Sequence, residues 1–301
     1  MAERKHPIIF GIAISSLVVL GFAFLLFLFA FFLREDSPLR SGSRIGVVLI
    51  RGVILDSKGP VEQIKKFRKD ERVKALIIRI DSPGGSTAAS QEIHREILRT
   101  LPKKKIVVSM GNIAASGGYY IAAAADKIVA NPGTLTGSIG VIMQFSNLKE
   151  LLHKIGVGME VVKSGSFKDI GSPLRDMKPE ERQLLEGVIK NVHGQFIEAV
   201  AQGRRLPKDQ VAQIADGRIF SGEQAKTLGL VDELGSFEDA VDLVKKMVGL
   251  SGEVKLVQAE KKKFSIWEFL FSELAGEVKQ TLQEPWSSPH LLLVPPYLYK
   301  N

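Results

Sequence analysis

The stretch ALIIRIDSPGGS, residues 75–86, changes character halfway along, and that change decides the fold. Residues 75–80 are apolar but for Arg79, a run too short for a buried helix and suited to a strand covered on both faces. Residues 81–85 carry turn chemistry, and from Ser86 to Thr100 apolar residues return at helical spacing. A buried strand that ends in glycines and leads into a helix belongs to layered α/β folds. The pattern recurs along the chain. Apolar runs at 45–50, 106–110, 127–130 and 139–143 predict further buried strands, and 61–69, 116–125 and 148–155 predict helices between them. Parallel pairing with crossover helices is the expected result. After Pro179, the positions Leu184, Leu185, Val188, Ile189, Val192, Phe196 and Val200 mark one face of a long amphipathic helix with Glu180 and Glu181 in its first turn. It is expected to pack outside the sheet.

The 301 residues hold 45% hydrophobic and 25% charged residues, ordinary proportions for a globular protein large enough to house an active site. The net charge of +8 is spread along helical patterns and mixed with carboxylates, which argues against a nucleic-acid partner. With no cysteine, thiol catalysis, disulfides and thiolate zinc sites are excluded. The five histidines, His6, His94, His153, His193 and His290, show neither HExxH spacing nor a cluster with carboxylates, so neither a metal nor another cofactor is called for.

Residues 8–33 carry no charge, enough apolar helix for the roughly 30 Å core of a bilayer. The run exceeds the core of a cleaved leader and ends in Phe31, Phe32 and Leu33 without a small-residue cleavage site, so the reading is an uncleaved transmembrane anchor. Arg4 and Lys5 precede it while Arg34, Arg40 and Arg44 follow, so charge alone leaves orientation open. The expected organisation is a tip, anchor and linker over 1–43, one catalytic domain over 44–250, and a tail over 251–301. The tail carries Lys261, Lys262 and Lys263 ahead of Phe264, Trp267, Phe269 and Phe271, a surface-seeking or docked terminal helix. No fixed-period repeat appears, so any larger assembly forms by association.

Two glycine-bearing junctions carry the chemistry. In the first, DSPGGS at 81–86, backbone amides at a strand end point toward developing negative charge, an oxyanion hole in outline; the plain alternative is a tight turn with Ser86 capping a helix. In the second, GNIAASGGYY at 111–120, Ser116 stands among small residues that leave its hydroxyl approachable. The Gly117 amide is placed to pair with that of Gly84 or Gly85 around one oxygen. Here too the alternative is a helix cap. A serine needs a base. The histidines sit in helical patterns as surface or packing residues, and the better candidate is Lys168, in VVKSGSFKDIGSP at 161–173, whose plain alternative is a solvated surface lysine. A lysine accepts a proton only when burial disfavours its cation, so the site around Lys168 is expected to be dry, with Phe167 and Ile170 contributing and Ser138 orienting the amine.

Together, DSPGGS at 81–86, AASGGYY at 114–120, TGSIGV at 136–141 and SGSFKDIGSP at 164–173 resemble, in order, the signature segments of signal peptide peptidase A in its short, single-unit form. DGRIFSGEQAKTLGLVDELG at 216–235 resembles the region that closes the catalytic domain in this family and its crotonase-like relatives. The resemblance runs from about 45 to 235. It implies a ClpP/crotonase-like α/β fold of repeated ββα units and a Ser-Lys dyad, with Ser116 as nucleophile, Lys168 as base, Ser138 assisting, and Gly84 or Gly85 with Gly117 as oxyanion donors. It also implies a membrane-anchored serine endopeptidase acting on released signal peptides and other hydrophobic peptides. A homo-oligomeric ring and a single-pass place in the inner membrane, with the catalytic domain outside the cytoplasm, come with it. In related proteins a C-terminal segment can lie near an active site, although this tail matches no motif. Other readings are a stomatin-linked membrane serine peptidase, an acyl-CoA enzyme of the crotonase family using the paired amides on a thioester, and a scaffold without catalysis.

Overall fold

A computed structural model of the chain describes residues 7–33, 43–258 and 292–293. It divides into two units, Met1–Gly42 and Ser43–Asn301. The first holds helix α1 (Pro7–Leu33), 27 residues long. Among the described residues no helix is long and apolar enough to cross a membrane. The expected linker, the lysine run and the aromatic stretch of the tail lie outside the described residues.

The second unit begins with β1 (Arg44–Arg51), α2 (Lys58–Lys69), β2 (Val73–Ser82), the two-residue strand β3 (Gly85–Ser86), α3 (Thr87–Thr100) and β4 (Lys105–Ala115). β1, β2 and β4 lie side by side and parallel. Every second residue of β2 faces the opposite side of the sheet, and both sides are covered. Ala75 and Ile77 join Ile45, Val107 and Val129 under a helix near the end of the unit, α9 (Phe237–Met247), through Ala240, Val241 and Val244. Leu76, Ile78 and Ile80 face the other layer, with Ile64 and Phe67 of α2 and Ile93 and Ile97 of α3. This two-sided burial is why residues 75–80 read as a continuous apolar run.

β4 is long enough to serve two neighbours. Its first half pairs with β5 (Lys127–Ala130), and its end pairs with β6 (Leu135–Gly137). Between β4 and β5 lies the short helix α4 (Gly117–Ala122). The strand expected at 139–143 is therefore displaced to 135–137. Gly137 and Ser138 adopt φ of 78° and 50°, left-handed conformations that turn the chain out of the sheet before Ile139, which is buried as a core residue instead. The chain continues through α5 (Lys149–Lys154), α6 (Pro179–Arg204), α7 (Lys208–Ile214), β7 (Ile219–Ser221), α8 (Gly222–Thr227) and β8 (Glu233–Leu234) to α9. β7 closes the β6 edge in antiparallel fashion. Of the apolar face expected on α6, Phe196 and Val200 are buried while Leu184 and Val188 are exposed.

Two segments of the expected tail belong to this unit. β9 (Lys255–Gln258) pairs in parallel with β1 and extends the sheet past residue 250. β10 (Leu292–Leu293) pairs antiparallel with Gly85 and Ser86 of β3.

Candidate functional site

Ser116 stands where β4 ends and α4 begins, and three devices fix it there. Ala115 pairs with Gly137 of β6, and the Ser116 N–H donates to the Gly137 carbonyl at 2.8 Å. The Tyr120 N–H donates to the Ser116 carbonyl at 2.8 Å, which opens α4. Tyr119, buried within that helix, donates its hydroxyl to the Leu230 carbonyl at 2.9 Å, and burial pushes the phenol well above its usual range.

The third device was not anticipated from sequence. Between Ile80 and Ser82 the β2–β4 register slips, so that Asp81 stands opposite Gly111, Asn112 and Ile113. Such a bulge leaves amides without ladder partners. The Asp81 carboxylate takes them, accepting from the Asn112 N–H at 3.0 Å and the Ile113 N–H at 3.2 Å. A Cβ at Gly111 would lie 2.7 Å from Asp81 Cγ, so the close approach requires glycine. The acid at the end of an apolar strand was the available signal, but its partner is set by pairing across the sheet.

The conformation of Ser116 separates the two readings of this residue. Its φ of 53° with ψ of −119° is outside the comfortable range for a side-chain-bearing residue, a strain of about 1–3 kcal/mol. An ordinary cap has extended backbone and a hydroxyl bonded into the first turn. Ser116 has neither, and its hydroxyl makes no hydrogen bond among the described residues. Ser86 likewise makes no side-chain cap to α3.

The glycines converge on the same place. A Cβ on Gly117 would meet Ser90 Oγ at 2.5 Å and Gly85 N at 3.3 Å, so the first turn of α4 lies directly against β3. The Gly84 N–H donates to Ser82 Oγ at 3.1 Å and is thereby engaged. β3 is held from behind by Ile54, whose N–H donates to the Gly84 carbonyl at 2.8 Å and whose carbonyl accepts from the Ser86 N–H at 2.7 Å. Ser138, one residue beyond the strand that pairs with Ala115, is buried with its hydroxyl unbonded among the described residues.

Lys168 departs from expectation. It is exposed, in a turn where its N–H donates to the Gly165 carbonyl at 3.1 Å, and its ammonium makes no hydrogen bond or ion pair among the described residues. Phe167 is exposed beside it. Among the described residues no dry pocket forms around Lys168, because the segment carrying it leaves the sheet at Ser138 and contributes little to the core. Of the histidines, His94 stacks on Tyr120 at 4.9 Å between ring centroids, and burial, with Arg95 adding to it, pushes its pKa down to about 4. His153 is exposed.

Residues 56–135 match the Clp protease family, in keeping with a ClpP-like α/β fold. Residues 100–251, more than half of the chain, match peptidase family S49. A putative protease of Synechocystis sp. is 45% identical over 216 residues, covering 71% of this chain and 78% of that protein. A putative signal peptide peptidase SppA of Enterococcus faecium is 42% identical over 187 residues, covering 61% of this chain and 54% of its relative. Among solved structures, a ClpP1 mutant of Listeria monocytogenes aligns over 65% of this chain and 94% of its own, with 21% identity and a TM-score of 0.45. By the reach of the family match and the identity to its relatives, this chain belongs to peptidase family S49.

Proposed function

We propose that the chain is a membrane-anchored serine endopeptidase that hydrolyses released signal peptides and other hydrophobic peptides, with Ser116 as nucleophile and Lys168 as general base. The observation that carries this reading is the backbone of Ser116. Strain of this kind persists where the surroundings over-determine it, and here it leaves an unbonded hydroxyl beside converging glycine amides. Because Gly84 already donates to Ser82, the oxyanion donors are assigned to Gly85 and Gly117. Extended binding of a peptide is supported by β10, which lays a strand of this chain antiparallel on Gly85 and Ser86.

As Ser116 Oγ bonds to the peptide carbonyl carbon, its proton passes to the neutral amine of Lys168. The carbonyl π electrons move onto the oxygen, which the two amides hold. Collapse breaks the C–N bond, and the Lys168 ammonium returns its proton to the leaving amine. Water then repeats the sequence on the acyl-enzyme. In this mechanism Ser138 holds the amine.

A lysine does this only where water is excluded. The exposed arm offers a way to achieve it. In the segment that leads from α5 to Lys168, Leu151, Ile155, Met159 and Phe167 are exposed and Val162 is 96% exposed, while α6 leaves Leu184 and Val188 uncovered. A neighbouring copy that covers this arm in a ring would bury these side chains and receive Lys168 at its own Ser116. Anchorage rests on α1, where consecutive side chains from Leu17 to Leu20 are all exposed and apolar, leaving no polar face. The catalytic unit is placed on the outer side of the inner membrane on the family resemblance.

Cleavage of a fluorogenic hydrophobic peptide by the full chain in detergent tests the reading. Ser116→Ala and Lys168→Ala are each expected to lower kcat by about 1,000-fold or more. Retained activity in Ser116→Ala would remove the nucleophile from the proposal.

A further inference from the structure

The turn that carries Lys168 is tied down far more firmly than an exposed segment needs to be. Lys163 Nζ donates to the Ser166 carbonyl at 3.1 Å and pairs with the Asp169 carboxylate, which closes residues 163–169 into a small ring of contacts. Arg175 grips the same residue from the other side. Its Nε donates to Asp169 Oδ2 at 2.8 Å, and its Nη2 donates to Oδ1 at 2.9 Å and to the Asp169 carbonyl at 3.3 Å. The other edge of the guanidinium meets Glu181, with Nη2–Oε1 at 2.5 Å and Nη1–Oε2 at 2.8 Å.

Glu181 is only 1% exposed and sits in the first turn of α6, where Oε2 also accepts from the Lys178 N–H at 2.9 Å. Farther along, α6 is fixed in the core by Phe196 and Val200. A line of contacts therefore runs from core to α6, Glu181, Arg175 and Asp169, and ends at the residue bonded to Lys168. Isolated surface ion pairs constrain little, whereas a planar guanidinium that forks onto two carboxylates fixes direction as well as distance. Lys208–Glu198, with both side chains largely exposed, shows the weaker kind. Arg175, then Lys163, holds the Asp169 carboxyl well below its usual range, and Arg175 holds Glu181 at about 2, so the network stays fully charged at neutral pH.

We infer that Lys163, Asp169, Arg175 and Glu181 are positioning residues, a clasp that presents the Lys168 side chain outward in one pose for a serine it does not itself contact. The inference rests on Lys168 being the base. With two cations against two carboxylates, the clasp fixes the turn without placing a net charge of either sign beside the lysine.

The test uses the full chain in detergent, with Asp169→Asn, Arg175→Met and Arg175→Lys beside Lys168→Ala. For each, kcat and KM on the fluorogenic peptide are measured with assembled size and melting temperature. Loss of the clasp is expected to lower kcat by about 100-fold with KM within about twofold, the signature of a displaced catalytic group in an intact peptide site. Arg175→Lys keeps charge and bulk but loses the fork, so it is expected to fall between, and it decides the matter if Asp169→Asn does not fold. Unchanged kcat in a folded, assembled Arg175→Lys and Asp169→Asn overturns the inference while Lys168→Ala is still inactive. So does a loss of kcat that follows loss of assembly or of melting temperature. Activity in Lys168→Ala instead overturns the assignment of the base, and the clasp with it.

Discussion

At Ser116 the chain is fixed by the sheet: a strand partner on one side, a carboxylate-filled bulge behind, and a helix whose first turn presses on β3. Ser116 is 2% exposed. Lys168 is exposed in a turn outside the described strands, and order there comes from ion pairs rooted in α6. The proposed nucleophile is built where the chain's own packing supplies rigidity and dryness. The proposed base is tied down but exposed. That division makes sense if the dryness comes from another copy, and the two halves of the site then need different tests.

The sharpest way to break the comparison is to separate the halves into different chains. Ser116→Ala and Lys168→Ala, each expected to be inactive alone, are co-expressed with different tags and purified through both. If each Lys168 serves a neighbour, random assembly leaves one interface in four with both groups intact, so roughly a quarter of wild-type activity is expected to return. Mixed assemblies no more active than the single variants would place both groups in one chain and end the argument from exposure.

How far the two halves were legible in the sequence follows from the same difference. The alternation of strand and helix is a local pattern, so the buried runs at 45–50, 75–80, 106–110 and 127–130 all appear as strands. The junction that carries Ser116 was readable because small residues between a strand and a helix are also a local pattern. The strand at 135–137 was missed because the apolar run lies beyond it, and the positive φ of Ser138 is imposed by the neighbours, including the Arg218 carbonyl that accepts its N–H at 2.8 Å. The Asp81 bulge was missed for the same reason, since its partners are 31 and 32 residues away. Lys168 was singled out by motif, and the dry surroundings expected for it are not seen among the described residues. Phe167 next to a lysine reads as a dry wall until the fold shows it facing outward. The strand at Leu292–Leu293 follows no periodicity at all, because its order is borrowed from β3.

Gly117 sharpens the sheet-built half. In Gly117→Ala the new methyl must displace Ser90 Oγ or the Gly85 backbone, and the amides at 85 and 117 part. The expected result is a fall in kcat of about 100-fold or more, as when one oxyanion donor is lost, with about 1–3 kcal/mol lost in stability from overpacking. An alanine variant with undiminished kcat would show that these amides do not hold the oxyanion.

The smallest effect is one of pH, and it distinguishes the two halves by their titration windows. His94, one helical turn beyond Ser90, is kept neutral by burial, with a folded pKa of about 4 against an ordinary 6.5. The unfolded chain takes up this proton first as pH falls, so the stability His94 contributes is complete above 6.5 and is lost progressively between 6.5 and about 4. Glu181, at about 2 in the folded chain against an ordinary 4.5, contributes stability that is complete above 4.5 and is lost only as pH falls from there through 2. Between pH 6.5 and 4.5, then, the helix backing Ser116 weakens while the clasp does not. The loss at pH 4.5 is at most about 3 kcal/mol, or roughly 2–4 °C of melting temperature per kcal/mol for a unit of this size. His94→Phe keeps a ring against Tyr120 but cannot take up a proton, so its melting temperature is expected to fall less than the wild type's between pH 7 and 4.5. Parallel declines in the two proteins would mean that His94 gains its proton without cost, and that the packing behind Ser116 is looser than its burial implies.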